Sequence, residues 1–157
     1  MIALLDNTVI SNFSVVQRPD LVQDALRDEV ATRQATMNEY NRGVQLGRLP
    51  LCDWRWLPIL ELTENEAKLQ ARLATGLGLG ESACIVCAYV RGLRVFTDDR
   101  DARRAALELH IPISGTLGLL LMLVDADVLP LREADVLLAR MVQAGYRAPL
   151  QSLAELL

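Results

Sequence analysis

The chain has 157 residues, 52% of them hydrophobic, and its formal net charge is −4 at pH 7. This length and composition predict one compact globular domain over residues 1–157. The apolar stretch 117–124 is far shorter than the roughly 20 residues that span a bilayer, so we expect a cytoplasmic protein without a membrane segment. The acidic balance argues against a sequence-independent nucleic-acid coat protein, but not against an enzyme that meets phosphates through a bound cation.

The first half of the chain alternates short apolar segments with helical patterns. An apolar strand over residues 2–5 ends at Asp6, and Thr63 to Glu66 has the pattern of a capping box, in which each side chain bonds the other's backbone. Between them we predict a helix through residues 9–16, a helix opened by Pro19, a strand over 30–32, a helix over 34–46 that carries Glu39, an irregular segment over 48–58 with Trp54 and Trp56, and a short strand over 59–62.

The stretch 76–104, GLGLGESACIVCAYVRGLRVFTDDRDARR, organises the rest of the chain. Its glycines, Gly76, Gly78 and Gly80, are predicted to end the preceding helix, and Glu81 to open the next one. There the macrodipole favours a carboxylate. Ala83, Val86, Cys87 and Val90 share one face of that helix at helical spacing.

The second half of the chain also alternates predicted strands with helical patterns. LRVF is a short β-branched strand that runs directly into Thr97, Asp98, Asp99 and Arg100. Beyond it we predict a helix over 102–109, a strand over 111–113, a turn and an apolar helix over 115–124, an amphipathic helix over 131–144, and a short helix over 149–157 opened by proline. Alternating strands and helices favour an α/β fold with a mainly parallel sheet.

Carboxylates are supplied by four separate elements of this predicted fold. Asp6 closes a strand, Glu39 lies on a helix, Glu81 opens a helix, and Asp98 with Asp99 follows a strand. If they meet, two charges about 4 Å apart repel by roughly 4 kcal/mol at an effective dielectric of 20, so such a cluster requires a cation. Oxygen ligands without histidine or thiol favour Mg²⁺ or Mn²⁺ over zinc.

Four segments of the chain together resemble one known family. LLDNTVISNF at the start, NEYNRG, LGLGESACIVCAYVRGLRVFTDDRDARRAA and IPISGTLGLLLMLV resemble PIN-domain proteins, which include the VapC-type toxin ribonucleases. The Gly-Thr-Leu-Gly motif and GYRAP are most similar to a PIN-like subgroup of predicted nucleic-acid-binding proteins. The resemblance covers nearly the whole chain, although residues 49–73 match in general layout only. It implies a three-layer α/β/α sandwich that cuts RNA with acids holding magnesium or manganese.

The resemblance also implies a role for each acid. Asp6, Glu39, Glu81 and Asp99 correspond to the catalytic acids, and Asp98 lies beside them as a further candidate metal ligand. Many relatives have Asp-Thr-Asn in the first motif, where this chain has Asp6-Asn7-Thr8. With Thr97, the residues Asn7 and Thr8 are expected to support the ligands. The third acid is often aspartate in the toxins, so Glu81 has to reach further or bind through water.

The implied activity is metal-assisted hydrolysis of RNA phosphodiester bonds. In this hypothesis Asp6 and Asp99 hold the main ion, Glu81 adds a direct or water-mediated contact, and Glu39 positions the attacking water or a second ion. Arg100, Arg103 and Arg104 are candidates for phosphate binding. Alternatively, these three arginines lie on a solvated helix face and form ion pairs with Asp101 or Glu108.

Two function hypotheses stay open at this point. The first is the endoribonuclease half of a toxin–antitoxin pair, inhibited by a small antitoxin protein and expected from the resemblance to form a homodimer. The second is a catalytically inactive PIN-like module that binds nucleic acid or protein. Other patterns have structural explanations: Cys84 and Cys87 are predicted to be core thiols rather than a metal or redox site, and Trp54 and Trp56 to anchor a loop.

Overall fold

A computed structural model describes residues 1–73 and 79–157 of the chain. The described residues form eight α-helices, five short strands and one 3-10 helix. In chain order the elements are β1 (Ala3–Leu5), α1 (Asn7–Val15), α2 (Pro19–Leu26), β2 (Val30–Arg33), α3 (Gln34–Gln45), β3 (Ile59–Leu60), α4 (Glu64–Leu73), α5 (Leu79–Arg91), β4 (Arg94–Phe96), α6 (Arg100–Glu108), β5 (Ile113–Ser114), α7 (Thr116–Asp125), α8 (Leu131–Gln143) and the 3-10 helix Leu153–Leu156.

The strands form one parallel sheet in the order β3-β2-β1-β4-β5. Strand β1 therefore lies between β2 and β4, and its register sets Leu5 opposite Phe96. The pairing continues one residue further, since the backbone N–H of Asp6 donates to the carbonyl of Phe96 at 3.0 Å. The residues that follow β1 and β4 are consequently neighbours at the carboxyl edge of the sheet, where open α/β folds place their sites.

Helices cover both faces of this sheet. Leu5 and Phe96 point into a core made with α1, α2, α7 and α8, whereas Leu4 and Val95 point into a second core made with α5 and α6. Alternate strand residues thus face opposite cores, which is why the strands are apolar throughout. The architecture is a three-layer α/β/α sandwich, as the resemblance to the PIN domain implied.

Helix α5 is the most deeply buried helix of the second core. Residues 82–88 are all buried, because α3, α4, α6 and the sheet surround them. Cys84 and Cys87 are free thiols within it, as predicted. The predicted apolar face was wrong at Val90, which is 48% exposed because the helix emerges from the core before its last turn.

Besides shifts of one or two residues elsewhere, three element boundaries differ from the prediction. Gly80 lies inside α5 and does not end the preceding helix; the predicted stop at Gly76 and Gly78 lies outside the described residues. The fifth strand is Ile113–Ser114 rather than 111–113. The last helix is a short 3-10 turn, Leu153–Leu156, opened by a capping box at Ser152 and not by a proline.

The predicted capping box at the start of α4 has a second role. Thr63 Oγ1 accepts from the backbone N–H of Glu66 at 3.2 Å, and Glu66 Oε1 accepts from that of Thr63 at 2.9 Å. Glu66 is also fully buried, and it pairs with Arg91 at 2.8 Å and Arg33 at 3.8 Å. The hydrogen bonds from Arg91 lower the pKa of Glu66 to about 2 despite burial. One carboxylate therefore joins β2, α4 and α5.

The irregular segment between α3 and β3 is fixed by buried polar contacts. Trp54 is buried and its Nε1–H donates to Ser14 Oγ at 2.9 Å, so the predicted anchoring role of this tryptophan is confirmed. The Tyr40 hydroxyl donates to the Pro50 carbonyl and accepts from the Cys52 N–H.

Among residues 1–73 and 79–157, no helix has both the length and the apolar character needed to cross a membrane.

Candidate active site

The carboxylate of Asp6 is the most buried acid at the carboxyl edge of the sheet. It follows β1, caps the N-terminus of α1 and is 1% exposed. Oδ1 accepts from the Asn7 N–H at 2.6 Å, and Oδ2 accepts from the hydroxyls of Thr8 and Thr97 at 3.0 and 2.6 Å. Burial raises the pKa of Asp6 to about 6, although these three hydrogen bonds oppose the rise.

Two threonines connect Asp6 to the end of β4. Thr97 Oγ1 donates to Asp6 and accepts from the Asp99 N–H at 3.1 Å. Thr8 Oγ1 donates to Asp6 and accepts from the Asp98 N–H at 2.8 Å. Asn7 contacts Asp6 through its backbone alone, since its side chain accepts from Ser11. Of the three predicted supporting residues, two threonine side chains therefore contact Asp6.

The neighbouring acids Asp98 and Asp99 differ in what holds them. Asp99 caps the N-terminus of α6 through a bond from the Ala102 N–H to Oδ1, at 3.2 Å. Asp98 accepts from Asn12 Nδ2 at 3.0 Å and from both the N–H and the hydroxyl of Thr116. The Asp98 carboxylate is therefore engaged between α1 and α7, whereas Asp99 keeps one oxygen without a described hydrogen bond.

Glu39 reaches the site from the middle of α3. Its Oε1 accepts from the Gly80 N–H at 2.6 Å, at the start of α5. A Cβ at Gly80 would lie 2.6 Å from the same oxygen and 2.9 Å from the carboxyl carbon, so a larger residue would displace the Glu39 carboxylate from this position. Glu39 thus satisfies a free backbone donor at a helix N-terminus, where negative charge is favoured.

Glu81 brings the four predicted catalytic acids into one electrostatic group. It lies in the first turn of α5 and is partly buried. Burial, followed by the charges of Asp6, Glu39 and Asp99, raises the pKa of Glu81 to about 7. Since these three charges act on Glu81, elements that are far apart in the chain contribute to one acidic cluster.

The donor atoms of this cluster decide which ion it can hold. In the part of the chain that the structure describes, no three acidic, histidine or cysteine side chains stand close enough together to hold an ion as they are arranged. The donors near Asp6 are carboxylate and hydroxyl oxygens, and burial raises the pKa values of Asp6 and Glu81, with smaller contributions from the charges of neighbouring acids. This chemistry fits a hard divalent cation after side-chain adjustment.

The predicted arginines lie beside the cluster, on α6. Arg103 Nη1–H groups donate to the carbonyls of Thr97 and Ser114 at 2.9 and 3.2 Å, which ties α6 to the ends of β4 and β5. Arg100 and Arg104 are exposed. Within residues 1–73 and 79–157, none of the three forms an ion pair with Asp101 or Glu108.

Three residues of the site were not predicted to belong to it, although Gly80 was predicted to end a helix. Asn12 and Thr116 bind Asp98, and Gly80 makes room for Glu39. The Gly-Thr-Leu-Gly motif contained a signal for Thr116. Its first glycine, Gly115, allows the close approach of Asp98, because a Cβ there would collide with Oδ1.

One comparison with known proteins gives a match over almost the whole chain. The family model DUF3368, described as a PIN domain, matches residues 2–157. The matched range includes the ends of β1 and β4 and the helices α3 and α5 that carry the acidic cluster. A search of the curated proteins gives no match.

Proposed function

The chain belongs to the PIN-domain family, whose members are generally nucleases, and we propose that it is a metal-dependent endoribonuclease. The observation that carries this proposal is the acidic cluster, in which burial and then the charges of the three neighbouring acids Asp6, Glu39 and Asp99 raise the pKa of Glu81. These are the four acids that correspond to the catalytic acids of the family. A structural cap needs no such group of mutually repelling charges.

Asp6 and Asp99 are the proposed principal ligands of a Mg²⁺ or Mn²⁺ ion. Three of the about four lone-pair positions of the Asp6 carboxylate are taken by hydrogen bonds, which leaves one on Oδ1. Asp99 has one oxygen without a described bond, and its helix cap fixes the direction of the other. Asp98 is the weaker candidate of the adjacent pair, because Thr116 and Asn12 occupy its carboxylate.

The remaining residues orient this group. The hydroxyls of Thr8 and Thr97 stabilise the ionised form of Asp6 and hold its plane. Glu39 fixes the first turn of α5 through Gly80 and thereby positions Glu81, one residue further on. Glu81, with a pKa raised to about 7, exchanges a proton near neutral pH and is placed to orient water. A bound Mg²⁺ or Mn²⁺ supplies a coordinated water of lowered pKa and neutralises charge on the phosphoryl oxygens.

The proposed biological setting follows the resemblance to VapC-type toxins. In it the nuclease acts on RNA in the cytoplasm, forms a homodimer, and is inhibited by a small antitoxin protein whose segment covers the acidic cluster. Exposed apolar side chains such as Tyr89 and Val90 on α5 are available for protein contacts.

Cleavage of a pool of short labelled RNAs tests the proposal. We expect the wild type to cut with Mn²⁺ and not with EDTA. Since supporting residues alone change metal-site activity by about 10–100-fold, Asp6→Asn and Asp99→Asn should lose about a hundredfold or more. Asp101→Asn is the matched control, because this exposed acid lies on α6 two residues from Asp99. Wild-type rates in Asp6→Asn and Asp99→Asn would contradict the assignment.

Two of the acids already accept hydrogen bonds from the protein, which favours a second candidate function. Glu39 bonds Gly80, and Asp98 bonds Thr116 and Asn12, as in a cluster used for structure rather than turnover. An inactive PIN-like module that binds nucleic acid or protein would keep RNA binding in EDTA. It would show neither metal-dependent cleavage nor stabilisation by Mn²⁺.

A further inference from the structure

A groove lined by arginines lies next to the acidic cluster, between α6, α7 and the segment that follows α8. Its volume is 620 Å³, and Arg100, Arg103, Arg104 and Arg147 all line it. We refer to it as the arginine groove. Its fourth arginine, Arg147, comes from the GYRAP segment, more than forty residues along the chain from the α6 arginines.

The lining of the arginine groove carries more positive than negative charge. None of the four arginines forms an ion pair in residues 1–73 and 79–157, although the chain as a whole is acidic. The one described acid in its lining, Asp98, accepts hydrogen bonds from Asn12 and Thr116 and offsets one of the four positive charges. Four guanidinium groups in one concave surface attract an anion with several oxygens, because each presents a planar set of donors.

A second groove joins the arginine groove to the residues that follow Asp6. This second groove, of 350 Å³, shares Asp98, Tyr146 and Arg147 with the arginine groove and extends to Asn7 and Thr8, which directly follow Asp6. Tyr146 forms part of the wall between the two, and burial together with Asp98 raises the pKa of its hydroxyl, which therefore stays neutral. A polymer with regularly spaced phosphates can follow this path, whereas a single small anion would fill a fraction of it.

We propose that the arginine groove binds the phosphate backbone of single-stranded RNA where the strand leaves the acidic cluster. This inference rests on the proposed function for the choice of RNA, but it assigns a separate binding surface. Arg104 on α6 and Arg147 in the segment after α8 carry the contacts, while Arg103 is held at the strand ends and contributes its charge. Phosphate contacts of this kind strengthen binding without selecting a base sequence.

The test measures RNA binding in EDTA, so that it is independent of cleavage. The fluorescence anisotropy of a labelled, mixed-sequence RNA of about 12 nucleotides is followed between about 50 and 300 mM KCl. The variant Arg104→Gln/Arg147→Gln is compared with the wild type. Two lost phosphate contacts should reduce the slope of log affinity against log salt by about 1.4, and weaken binding by about tenfold or more at low salt.

A matched control separates the groove from general charge. Arg27→Gln/Arg132→Gln removes two exposed positive charges at other positions, Arg27 directly after α2 and Arg132 on α8. It should keep the wild-type slope, and melting curves should show both double variants folded. Equal losses in the two double variants, an unchanged slope in Arg104→Gln/Arg147→Gln, or no RNA binding by the wild type would each overturn the inference. If the wild type binds RNA as expected but does not cleave it with Mn²⁺, the proposed nuclease activity fails while the groove stands.

Discussion

The absence of a side chain at Gly80 lets Glu39 reach the start of α5. The three nearest atoms to an added Cβ all belong to the Glu39 carboxyl group, the nearest at 2.6 Å. The same carboxylate accepts the Gly80 N–H at 2.6 Å, so the contact is both tight and bonded. A methyl group at this position therefore acts on one defined side chain rather than on the core as a whole.

We predict that Gly80→Ala lowers the free energy of unfolding by about 1–3 kcal/mol, because overpacking displaces Glu39. In a Glu39→Ala background the methyl has free space, and the same Gly80→Ala change should be neutral or stabilising by up to about 1 kcal/mol through helix propensity. Urea unfolding of the wild type, the two single variants and the double variant measures how far the effect of Gly80→Ala depends on the Glu39 side chain. Equal effects of Gly80→Ala in both backgrounds would show that Glu39 is not what the methyl meets.

The sequence alone did not decide whether Asp98 or Asp99 is the better candidate for a metal ligand. The strand LRVF and the acids after it were predicted correctly, since β-branched apolar runs and polar strand ends are local patterns. The direction of the Asp98 carboxylate depends on Asn12 and Thr116, which lie 86 and 18 residues away. Contacts of that separation leave no local pattern, so the sequence left both acids as candidates.

At the scale of elements, the buried carboxylate of Glu66 joins α4 to two neighbours. Arg33, at the end of β2, has a side chain that is 3% exposed, and Glu66 is its described partner of opposite charge. The capping box was predicted from Thr63 and Glu66 because it is a four-residue pattern. The ion pairs were not predicted, since Arg33 and Arg91 are distant in sequence.

We predict that Glu66→Gln lowers the free energy of unfolding by about 3 kcal/mol or more, because it leaves Arg33 buried without its counter-charge. Glutamine keeps the capping-box geometry, so the loss reports on the ion pairs. Glu64→Gln is the control in the same helical turn. Its carboxylate is 87% exposed and pairs with Lys68 at 3.5 Å, and such helical pairs are worth about 0.3–0.5 kcal/mol. Similar losses in the two variants, measured by urea unfolding, would argue against a stabilising role of the buried pairs.

The same pair predicts how stability depends on pH. The pKa of Glu66 in the folded protein, about 2, lies below its ordinary value of 4.5. Ionised Glu66 therefore stabilises the fold fully above that ordinary value, and the contribution is lost as the pH falls from 4.5 toward 2. The stability difference between wild type and Glu66→Gln should shrink over this interval in urea unfolding at a series of pH values. A constant difference would contradict the lowered pKa.

At the scale of the whole molecule, the α/β fold with a parallel sheet followed from the sequence because each strand is short, apolar and separated from the next by a helical pattern. The three-layer arrangement was implied by the resemblance to the PIN domain. Parallel strands covered on both faces need apolar side chains in both directions, which Leu4 and Leu5 show. The buried residues of α8 were predicted from helical spacing. The end of the chain was not, because a short 3-10 turn fixed by Ser152 has no periodic pattern to detect.

The acidic cluster predicts that the whole fold is stabilised by a divalent cation. A ligand that binds only the folded state at a hundred times its dissociation constant adds about 2.7 kcal/mol, and a chain of this size gains about 2–4 °C in Tm per kcal/mol. We therefore expect Mn²⁺ to raise the Tm by about 5–10 °C relative to EDTA. Asp6→Asn should lose this rise and Asp101→Asn should keep it, in melting curves followed by circular dichroism. For each protein, the Tm in Mn²⁺ is compared with the Tm in EDTA. This comparison is needed because removing a buried carboxylate whose pKa is raised to about 6 can itself stabilise the metal-free fold. A full Mn²⁺-dependent rise in Asp6→Asn would place the ion away from β1, since no other change in that variant affects the cation.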